Sequence, residues 1–477
     1  MTHFEDAVPA PLDMLETGVP NLDRILGRGL IRGAIAIVIG PPGAGKTVLG
    51  QQITFHLAAR GEPVLYLTGY SETHTKLLAH SRSLSFFDAS LIGKAIQLGS
   101  LPDLLREGAE EAQRSVLTTV RRMQARLVVM DGFGGMGRLL SGQNESTGEF
   151  LYSLGAQLAL LGATTLVLLE GSPDDSAHYS EATVCDVVLG MRRELFGTRH
   201  RRLLDVLKVR GAPSLQGSHP FTINADGVQL SPRLESIIEL TEPASFAGRA
   251  SFGVSGLDAL LHGGLSIGTS TLAYGGPGTG KTLFGLHFLM QGARLGEPAL
   301  FIGFKESSAQ LHEKATVFGL DLAAAEAAKT LRLITLHRHD LEADRVAAIL
   351  QADVEARGVR RLVIDSAAQL EHSVSVVDPT RAHGFLGALV SYFRQRGITT
   401  YATREINNTG GLDLDFGDTP LAPLAENLLL LRTEHTDRIV RSLAVLRMRF
   451  SDHNGTPHEY VIRPGLGIDV LGPAPRA

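Results

Sequence analysis

The segments GPPGAGKT, residues 40–47, and GGPGTGKT, residues 275–282, carry the same pattern of glycine, lysine and threonine. Each segment follows a short apolar run and precedes an amphipathic stretch. Between a strand and a helix, G-x-x-x-x-G-K-[ST] predicts a phosphate-binding loop, because its glycines let successive backbone N–H groups face a phosphate. The helix that follows directs its positive end towards the same anion. The sequence therefore predicts two phosphate sites in one chain.

The spacing of further landmarks indicates that a whole domain is duplicated. Each landmark in the first half recurs 234 or 235 positions later. The landmarks are Lys46 and Lys281, the GEP tripeptides beginning at 61 and 296, Asp131 and Asp365, and Glu72 and Glu306. Several landmarks in register predict two copies, each long enough for its own core. We place the two domains at residues 1–242 and 243–477.

Within each copy, β-branched apolar runs alternate with segments of helical periodicity. In the first copy the predicted strands are residues 34–40, 63–70, 125–131 and 164–170. This alternation predicts an α/β fold in which helices cover both faces of a mostly parallel sheet. Residues 186–211 contain two strand-like runs around a basic turn at Gly197, which predicts an antiparallel hairpin at the sheet edge.

Composition and charge exclude several classes of protein. The net charge of −5 offers no general attraction to nucleic acid or to an anionic membrane. Cys185 is the single cysteine, which excludes disulfides within the chain and thiolate zinc sites. Residues 1–18 lack the apolar core of a signal peptide. The uncharged stretch 151–169 is split by Gly162 and predicts a buried helix and strand, not a membrane span. We therefore expect a cytoplasmic protein.

The two loops predict ATP and Mg²⁺ as the bound species. We expect Lys46 and Lys281 to reach the β- and γ-phosphates, and Thr47 and Thr282 to ligate Mg²⁺. The residues predicted to cradle the phosphates are Gly40, Pro41, Pro42, Gly43, Ala44, Gly45, Lys46, Thr47, Gly275, Gly276, Pro277, Gly278, Thr279, Gly280, Lys281 and Thr282.

Carboxylates at the ends of strands are the next candidates. They are Asp131, Asp365, Glu72, Glu306, Glu170 and Glu405. The two aspartates end apolar strands at the carboxyl edge of a parallel sheet, where a carboxylate holds Mg²⁺ through water. The first two glutamates follow the next strand and suit a base that orients the attacking water. The last two either sense the nucleotide or only terminate a strand.

Longer segments resemble KaiC-type domains of the RecA/RadA superfamily of ATPases. Residues 17–47 and 252–282 resemble the beginning of such domains. Residues 304–315 and 360–371 resemble later segments, and residues 199–230 resemble the end of a first domain. The resemblance covers nearly the whole chain. It implies two tandem RecA-like P-loop domains, a hexameric ring that holds ATP between subunits, and a protein partner of the KaiB or another signalling kind.

The resemblance also implies a role for two basic pairs. In that family a pair of cations near the end of each domain reaches the nucleotide of the neighbouring subunit. The matching positions are Lys208 and Arg210 in the first copy and Arg447 and Arg449 in the second. Residues i and i+2 of a strand share a face, so each pair points one way and suits a phosphate. The alternative is a solvated strand face.

Three positions depart from the family pattern. The family carries two adjacent glutamates after the second strand, whereas residues 71–72 are Ser-Glu and residues 305–306 are Lys-Glu. Lys305 therefore puts a cation where an anion is expected, and it could pair with a phosphate. The family's Ser-Thr autophosphorylation pair aligns with residues 422–423, which are Ala-Pro and have no hydroxyl.

Three classes of function remain open. The first is a ring ATPase that acts as a timer, switch or signalling hub, with the family's Ser/Thr autokinase activity as a variant of it. The second is a DNA-dependent RecA/RadA-type ATPase, which the acidic balance and the lack of a DNA-binding module argue against. The third is a nucleotide-binding scaffold with little catalysis, which Lys305 favours for the second domain. We favour ATP hydrolysis without phosphorylation at residues 422–423.

Overall fold

The chain divides into two compact units, Met1–Ser236 and Ile237–Ala477. The computed structural model describes residues 13–474 except 70–73, 137–139, 141–145, 176–178, 197–198, 239–246, 337–340, 377, 407–420 and 436–438. The predicted junction between residues 242 and 243 lies outside the described residues, so its position stays a prediction.

The first unit contains one large sheet and a two-stranded ribbon. Its strands are β1 (Met14–Leu15), β2 (Leu30–Ile31), β3 (Ile35–Gly40), β4 (Val64–Thr68), β5 (Ile96–Ser100), β6 (Leu127–Asp131), β7 (Thr164–Glu170), β8 (Val187–Phe196), β9 (Arg199–Val209), β10 (Ser218–Asn224) and β11 (Gly227–Leu230). Its helices are α1 (Leu22–Ile25), α2 (Lys46–Ala59), α3 (His74–Ser81), α4 (Leu101–Leu105), α5 (Ala109–Met123), α6 (Thr147–Leu160), α7 (Tyr179–Val184) and α8 (Leu234–Ile237).

The second unit repeats this arrangement. Its strands are β12 (Arg249–Ala250), β13 (Leu265–Ser266), β14 (Ser270–Gly275), β15 (Ala299–Gly303), β16 (Leu331–Thr335), β17 (Arg361–Asp365), β18 (Thr399–Glu405), β19 (Asn427–His435), β20 (Ile439–Met448), β21 (His458–Arg463) and β22 (Gly467–Pro473). Its helices are α9 (Ser255–Leu260), α10 (Lys281–Arg294), α11 (Ser308–Val317), α12 (Leu322–Ala327), α13 (Ala343–Arg357), α14 (Ala367–Ser375) and α15 (Ala382–Gln395).

The two large sheets have the same strand order. Within the described residues, the first runs β11-β10-β9-β8-β3-β7-β6-β4-β5 and the second β22-β21-β20-β19-β14-β18-β17-β15-β16. In each sheet, the strands from β8 to β5 or from β19 to β16 pair in parallel. The remaining three strands extend one edge in antiparallel fashion. The predicted α/β class and the edge hairpin are confirmed, and Gly197 itself lies outside the described residues.

Helices cover both faces of the first sheet, which explains its uninterrupted apolar strands. Every residue of β3 and β6 is buried, as expected for parallel strands between two helical layers. On one face, Leu49 and Ile53 of α2 pack with Val38. On the other, Val120 of α5 and Leu154 of α6 pack in a second cluster with the sheet. Burying one such side chain stabilises the fold by about 2 kcal/mol.

The second sheet is packed in a similar way with larger rings. Phe284 and Phe288 of α10 share a cluster with Phe301 of β15 and Tyr401 of β18. The helices α14 and α15 cover the opposite face of β17 and β18, where they line a small apolar cavity. Each unit thus has a core of its own.

The uncharged stretch 151–169 forms the end of α6 and most of β7. Leu154 and Leu158 of the helix are fully buried, and so is the strand up to Leu169. The predicted helix and buried strand are present, but the helix buries only one face, since Tyr152 and Leu160 are 62% and 88% exposed. No helix in the described part of the chain is both long and apolar enough to cross a membrane.

Candidate nucleotide-binding sites

The first predicted loop, residues 40–47, lies at the carboxyl edge of the first sheet. It connects the end of β3 at Gly40 to the start of α2 at Lys46. Gly43 and Gly45 have φ values of 73° and 109°, a left-handed conformation that favours glycine. A Cβ on Gly45 would also collide with the side chain of Ile223 from β10. The backbone conformation of the turn thus favours glycine, and a larger residue would also have to displace the end of the Ile223 side chain.

The second loop, residues 275–282, has the same construction. Gly278 and Gly280 have φ values of 77° and 83°, and α10 begins at the next residue, Lys281. This loop is further anchored by the hydroxyl of Tyr460 from β21, which donates to the carbonyl of Thr279 at 2.5 Å. Burial raises the pKa of Tyr460, so its hydroxyl keeps the proton that this hydrogen bond needs.

The lysine of each loop folds back over the loop itself. Lys46 Nζ donates to the carbonyls of Gly40 and Pro41 at 2.7 and 3.0 Å. Lys281 Nζ donates to the two matching carbonyls at 2.8 Å each. Burial lowers the pKa of both lysines, and carboxylates at the same edge oppose that shift. Each ammonium group is therefore a partly desolvated cation, which attracts a phosphate more strongly than a solvated one.

The threonine of each loop contacts the predicted metal-binding aspartate. Thr47 Oγ1 donates to Asp131 Oδ1 at 3.2 Å, and Thr282 Oγ1 donates to Asp365 Oδ2 at 2.6 Å. Hydroxyl and carboxylate oxygens are the ligands that Mg²⁺ takes, with water and phosphate oxygens completing its shell. The described residues contain no group of three His, Cys, Asp or Glu side chains that could hold a metal without such help. The donor set therefore fits Mg²⁺ bound together with a phosphate.

The second oxygen of each aspartate is held by a residue that the sequence analysis missed. In the first unit, Tyr66 donates its hydroxyl proton to Asp131 Oδ2 at 2.8 Å. In the second, Thr403 donates to Asp365 Oδ1 at 2.5 Å. Both donors are buried polar residues. Tyr66 interrupts the apolar run of β4, which was a signal in the sequence. Thr403 lies in β18 among several other polar residues, so no local pattern marks it.

Of the two glutamates predicted to orient the attacking water, the structure describes only Glu306. Glu72 lies outside the described residues. Glu306 Oε1 forms an ion pair with Lys314 of α11, and Glu306 Oε2 is buried without a hydrogen-bond partner among the described residues. The carboxylate of Glu306 is thus turned towards α11, and its role as a base stays a prediction.

The strand-ending glutamates occupy equivalent positions beside the two loops. Glu170 pairs across the sheet with Gly40, and Glu405 pairs with Gly275. Glu405 accepts a hydrogen bond from Lys305 Nζ at 2.6 Å. The cation that departs from the family pattern therefore contacts a carboxylate next to the second loop.

The basic pair of the first domain lies far from its own loop. Lys208 of β9 is opposite Val188, near the start of β8, and therefore lies at the amino edge of the sheet. Its Nζ donates to the carbonyls of Ala182 and Thr183 at the end of α7, both at 3.1 Å. Arg210 follows the strand and forms an ion pair with Asp186 at 3.5 Å. The first loop lies at the opposite edge.

The basic pair of the second domain has the same placement. Arg447 lies near the end of β20, opposite Leu428 at the start of β19. Its Nη2 donates to the carbonyls of Ala422 and Ala425 at 2.8 and 2.5 Å. Arg449 Nη2 donates to the carbonyl of Pro423 at 3.1 Å. Neither basic pair is brought together with the loop of its own domain.

The fold and the two loops define a class, the tandem P-loop nucleotide-binding proteins. The family model described as "ATPase: KaiC" matches residues 15–235 and 250–474, one match in each unit. These matches cover most of the sequence, and the chain belongs to the KaiC family of ATPases.

Curated relatives carry the name "Circadian clock oscillator protein KaiC". The protein of that name from Picosynechococcus sp. is 28% identical over 466 residues, which cover 94% of this chain and 88% of the relative. The one from Thermostichus vulcanus is 28% identical over 95% of this chain and 88% of its own length. The one from Synechococcus elongatus is 28% identical over 94% of this chain and 87% of its own length. The predicted resemblance is thus confirmed at the level of the family.

Proposed function

We propose that this chain binds ATP with Mg²⁺ at both loops and hydrolyses it, and that its nucleotide state acts as a switch, timer or signalling hub. The observation that carries the proposal is the repeated set of loop lysine, loop threonine and strand-ending aspartate. In both units the threonine hydroxyl contacts the aspartate, at 3.2 and 2.6 Å. The name of the curated relatives supports a timing role. A protein partner of the KaiB or another signalling kind is proposed from the family resemblance alone.

In this mechanism each residue has a separate task. The loop N–H groups and the lysine bind and orient the phosphates, and the aspartate and threonine hold the metal. Mg²⁺, when bound, neutralises charge that develops on the phosphate oxygens. Glu72 and Glu306 orient the attacking water. Tyr66 and Thr403 fix the aspartates by donating to the oxygen that does not face the loop threonine.

We further propose that several copies of the chain assemble into a ring, hexameric as the family resemblance implies. The placement of Lys208 and Arg447 at the amino edges supports it, because neither can reach the loop of its own domain at the opposite edge. A cation on that edge suits a phosphate held by another copy of the chain. Two neighbouring copies would then complete each site.

We propose that the ring does not phosphorylate itself at the family's acceptor position. Phosphoryl transfer needs an acceptor oxygen close to and in line with the γ-phosphate. Ala422 offers a methyl group and Pro423 a ring, and their carbonyls accept from Arg447 and Arg449. Thr419 is the nearest hydroxyl in sequence, and it lies outside the described residues.

The test is steady-state phosphate release by the full chain and by two loop variants. Lys46→Ala should remove most of the turnover, because the second site carries the cation Lys305 beside Glu306 where the family carries an anion. Lys281→Ala should remove less. Losing a charge clamp slows phosphoryl transfer by about two orders of magnitude or more. Turnover that survives both substitutions in one chain would contradict the proposal.

A further inference from the structure

An ion pair spans the carboxyl edge of the second sheet beside the loop. Lys305 follows β15 and Glu405 ends β18, and their charged atoms are 2.6 Å apart. The two strands are not neighbours, because β17 lies between them. The pair therefore bridges over the end of β17, where Asp365 is located.

The strand register fixes both partners close to the predicted phosphate site. Gly303, two residues before Lys305, is paired with Asp365. Glu405 is paired with Gly275, whose carbonyl accepts from Lys281 Nζ. The ion pair thus lies between the metal-binding aspartate and the loop lysine. The pKa of Lys281 responds to both partners, since Glu405 raises it and Lys305 lowers it.

The first domain has the carboxylate but not the lysine. Glu170 is paired with Gly40 as Glu405 is with Gly275. The residue that corresponds to Lys305 is Ser71, which cannot carry a charge. A lone carboxylate beside a phosphate repels it, whereas a carboxylate neutralised by a lysine does not. The second site therefore carries a positive charge at this position that the first site lacks.

The chemistry of a lysine allows it to contact a carboxylate and a phosphate together. An ammonium group has three protons, and one hydrogen bond to Glu405 leaves two for other acceptors. Lys305 and Glu405 keep 32% and 43% of their side chains exposed, so a ligand at this edge can reach them. Holding the ammonium group by Glu405 also reduces the entropy that it loses when it binds a phosphate.

We propose that Lys305, held in place by Glu405, is a specificity-determining residue of the second site that binds the terminal phosphate of a nucleoside triphosphate. This inference rests on the proposed function, because it assumes that a nucleotide occupies the second loop. The second domain then prefers the triphosphate over the diphosphate more strongly than the first domain does. A nucleoside diphosphate ends one phosphate earlier and loses this contact.

The experiment measures binding of a non-hydrolysable ATP analogue and of ADP, with Mg²⁺, by isothermal titration of the full chain. Lys46→Ala and Lys281→Ala chains assign the binding components to the two sites. Lys305→Met should weaken analogue binding at the second site about ten-fold or more, as expected for a lost charge-assisted hydrogen bond. ADP binding should change by less than about three-fold. Lys305→Ser, which copies the first domain, should behave in the same way.

Substitutions of Glu405, the ion-pair partner of Lys305, distinguish a role in nucleotide specificity from a purely structural role. Glu405→Gln removes the negative charge but keeps an amide oxygen that can still accept the hydrogen bond from Lys305 Nζ, so the lysine stays in place and the ratio of analogue to ADP affinity should be at least that of the unchanged chain. Adding Glu405→Gln to Lys305→Met should restore part of the lost affinity, because it removes a lone carboxylate beside the phosphate. If Glu405→Gln lowers the ratio as much as Lys305→Met does, the pair is only structural and the inference is wrong.

A charge control and a loop control complete the test. Lys329→Met removes an exposed lysine from the amino edge of the same sheet and should leave the ratio unchanged. If Lys281→Ala removes neither binding component, the proposed function fails. If Lys281→Ala removes one component but Lys305→Met leaves the ratio unchanged, only the present inference fails.

Discussion

Replacing His287 by glutamine should change how the second domain responds to acid. His287 lies on α10, the helix that follows the second loop, and only 8% of it is exposed. Its Nε2 accepts a hydrogen bond from the backbone N–H of Ile468 in β22 at 3.3 Å. Burial, with a smaller contribution from the positive charge of Arg294, lowers the pKa of His287 to about 4 from an ordinary value of 6.5. A protonated ring could not accept the hydrogen bond from Ile468.

The magnitude follows from the two pKa values. As the pH falls below about 6.5, His287 becomes protonated in the unfolded chain but stays neutral in the folded chain. The free energy of unfolding therefore decreases until the pH reaches about 4, where folded His287 is protonated as well. Each unit of pKa is worth about 1.4 kcal/mol, so the loss is about 2 kcal/mol at pH 5 and about 3 kcal/mol at pH 4. Glutamine at position 287 does not titrate. At pH 7 it leaves the N–H of Ile468 with a poorer acceptor, at a cost of about 1 kcal/mol.

The assay is amide hydrogen exchange of peptides from α10 and β22, corrected for the intrinsic rate at each pH, which gives a local free energy of opening. The unchanged chain should be more stable than His287→Gln at pH 7, and the order should reverse at pH 5. The control is His383→Gln, which replaces an exposed histidine of the same domain. A difference between the unchanged chain and His287→Gln that is the same at both pH values would refute the reasoning.

Two further predictions concern assembly and phosphorylation. With ATP and Mg²⁺, light scattering of the full chain should give a mass several times 51 kDa. The double substitution Lys208→Met and Arg210→Met should weaken this assembly. A monomer at micromolar concentration would contradict the ring. After long incubation with ATP and Mg²⁺, mass spectrometry should find no stoichiometric phosphate between Gly410 and Arg432, since Ala422 and Pro423 have no hydroxyl; finding it there would establish the autokinase.

The parts of the site that depend on local sequence could be predicted. The loop is set by glycines at fixed spacing, so the left-handed turns at Gly45 and Gly280 follow from the sequence. The aspartates end apolar runs, and parallel strands bring such ends to one edge. The contacts of Asp131 with Thr47 and of Asp365 with Thr282 could therefore be predicted from the sequence.

The remaining contacts depend on strand order and side-chain direction, which local patterns do not encode. Lys305 and Glu405 are 100 residues apart and meet only because β15 and β18 flank β17. Glu306, the next residue, turns the other way to Lys314 on α11. The placement of Lys208 at the amino edge likewise required the direction of β9 relative to β3, which comes from pairing in the sheet.

Because the domain is duplicated, the two sites of this chain can be compared directly with each other. The two loops share the lysine that donates to two loop carbonyls and the threonine that donates to an aspartate, with each distance equal to within 0.6 Å. Residues common to both sites cannot explain a difference in their activity. Among the described side chains at the second carboxyl edge, Lys305 adds a charge that Ser71 cannot supply to the first. We expect a difference in turnover or nucleotide preference between the two domains to come from residues that differ between the two sites, such as Lys305 and Ser71.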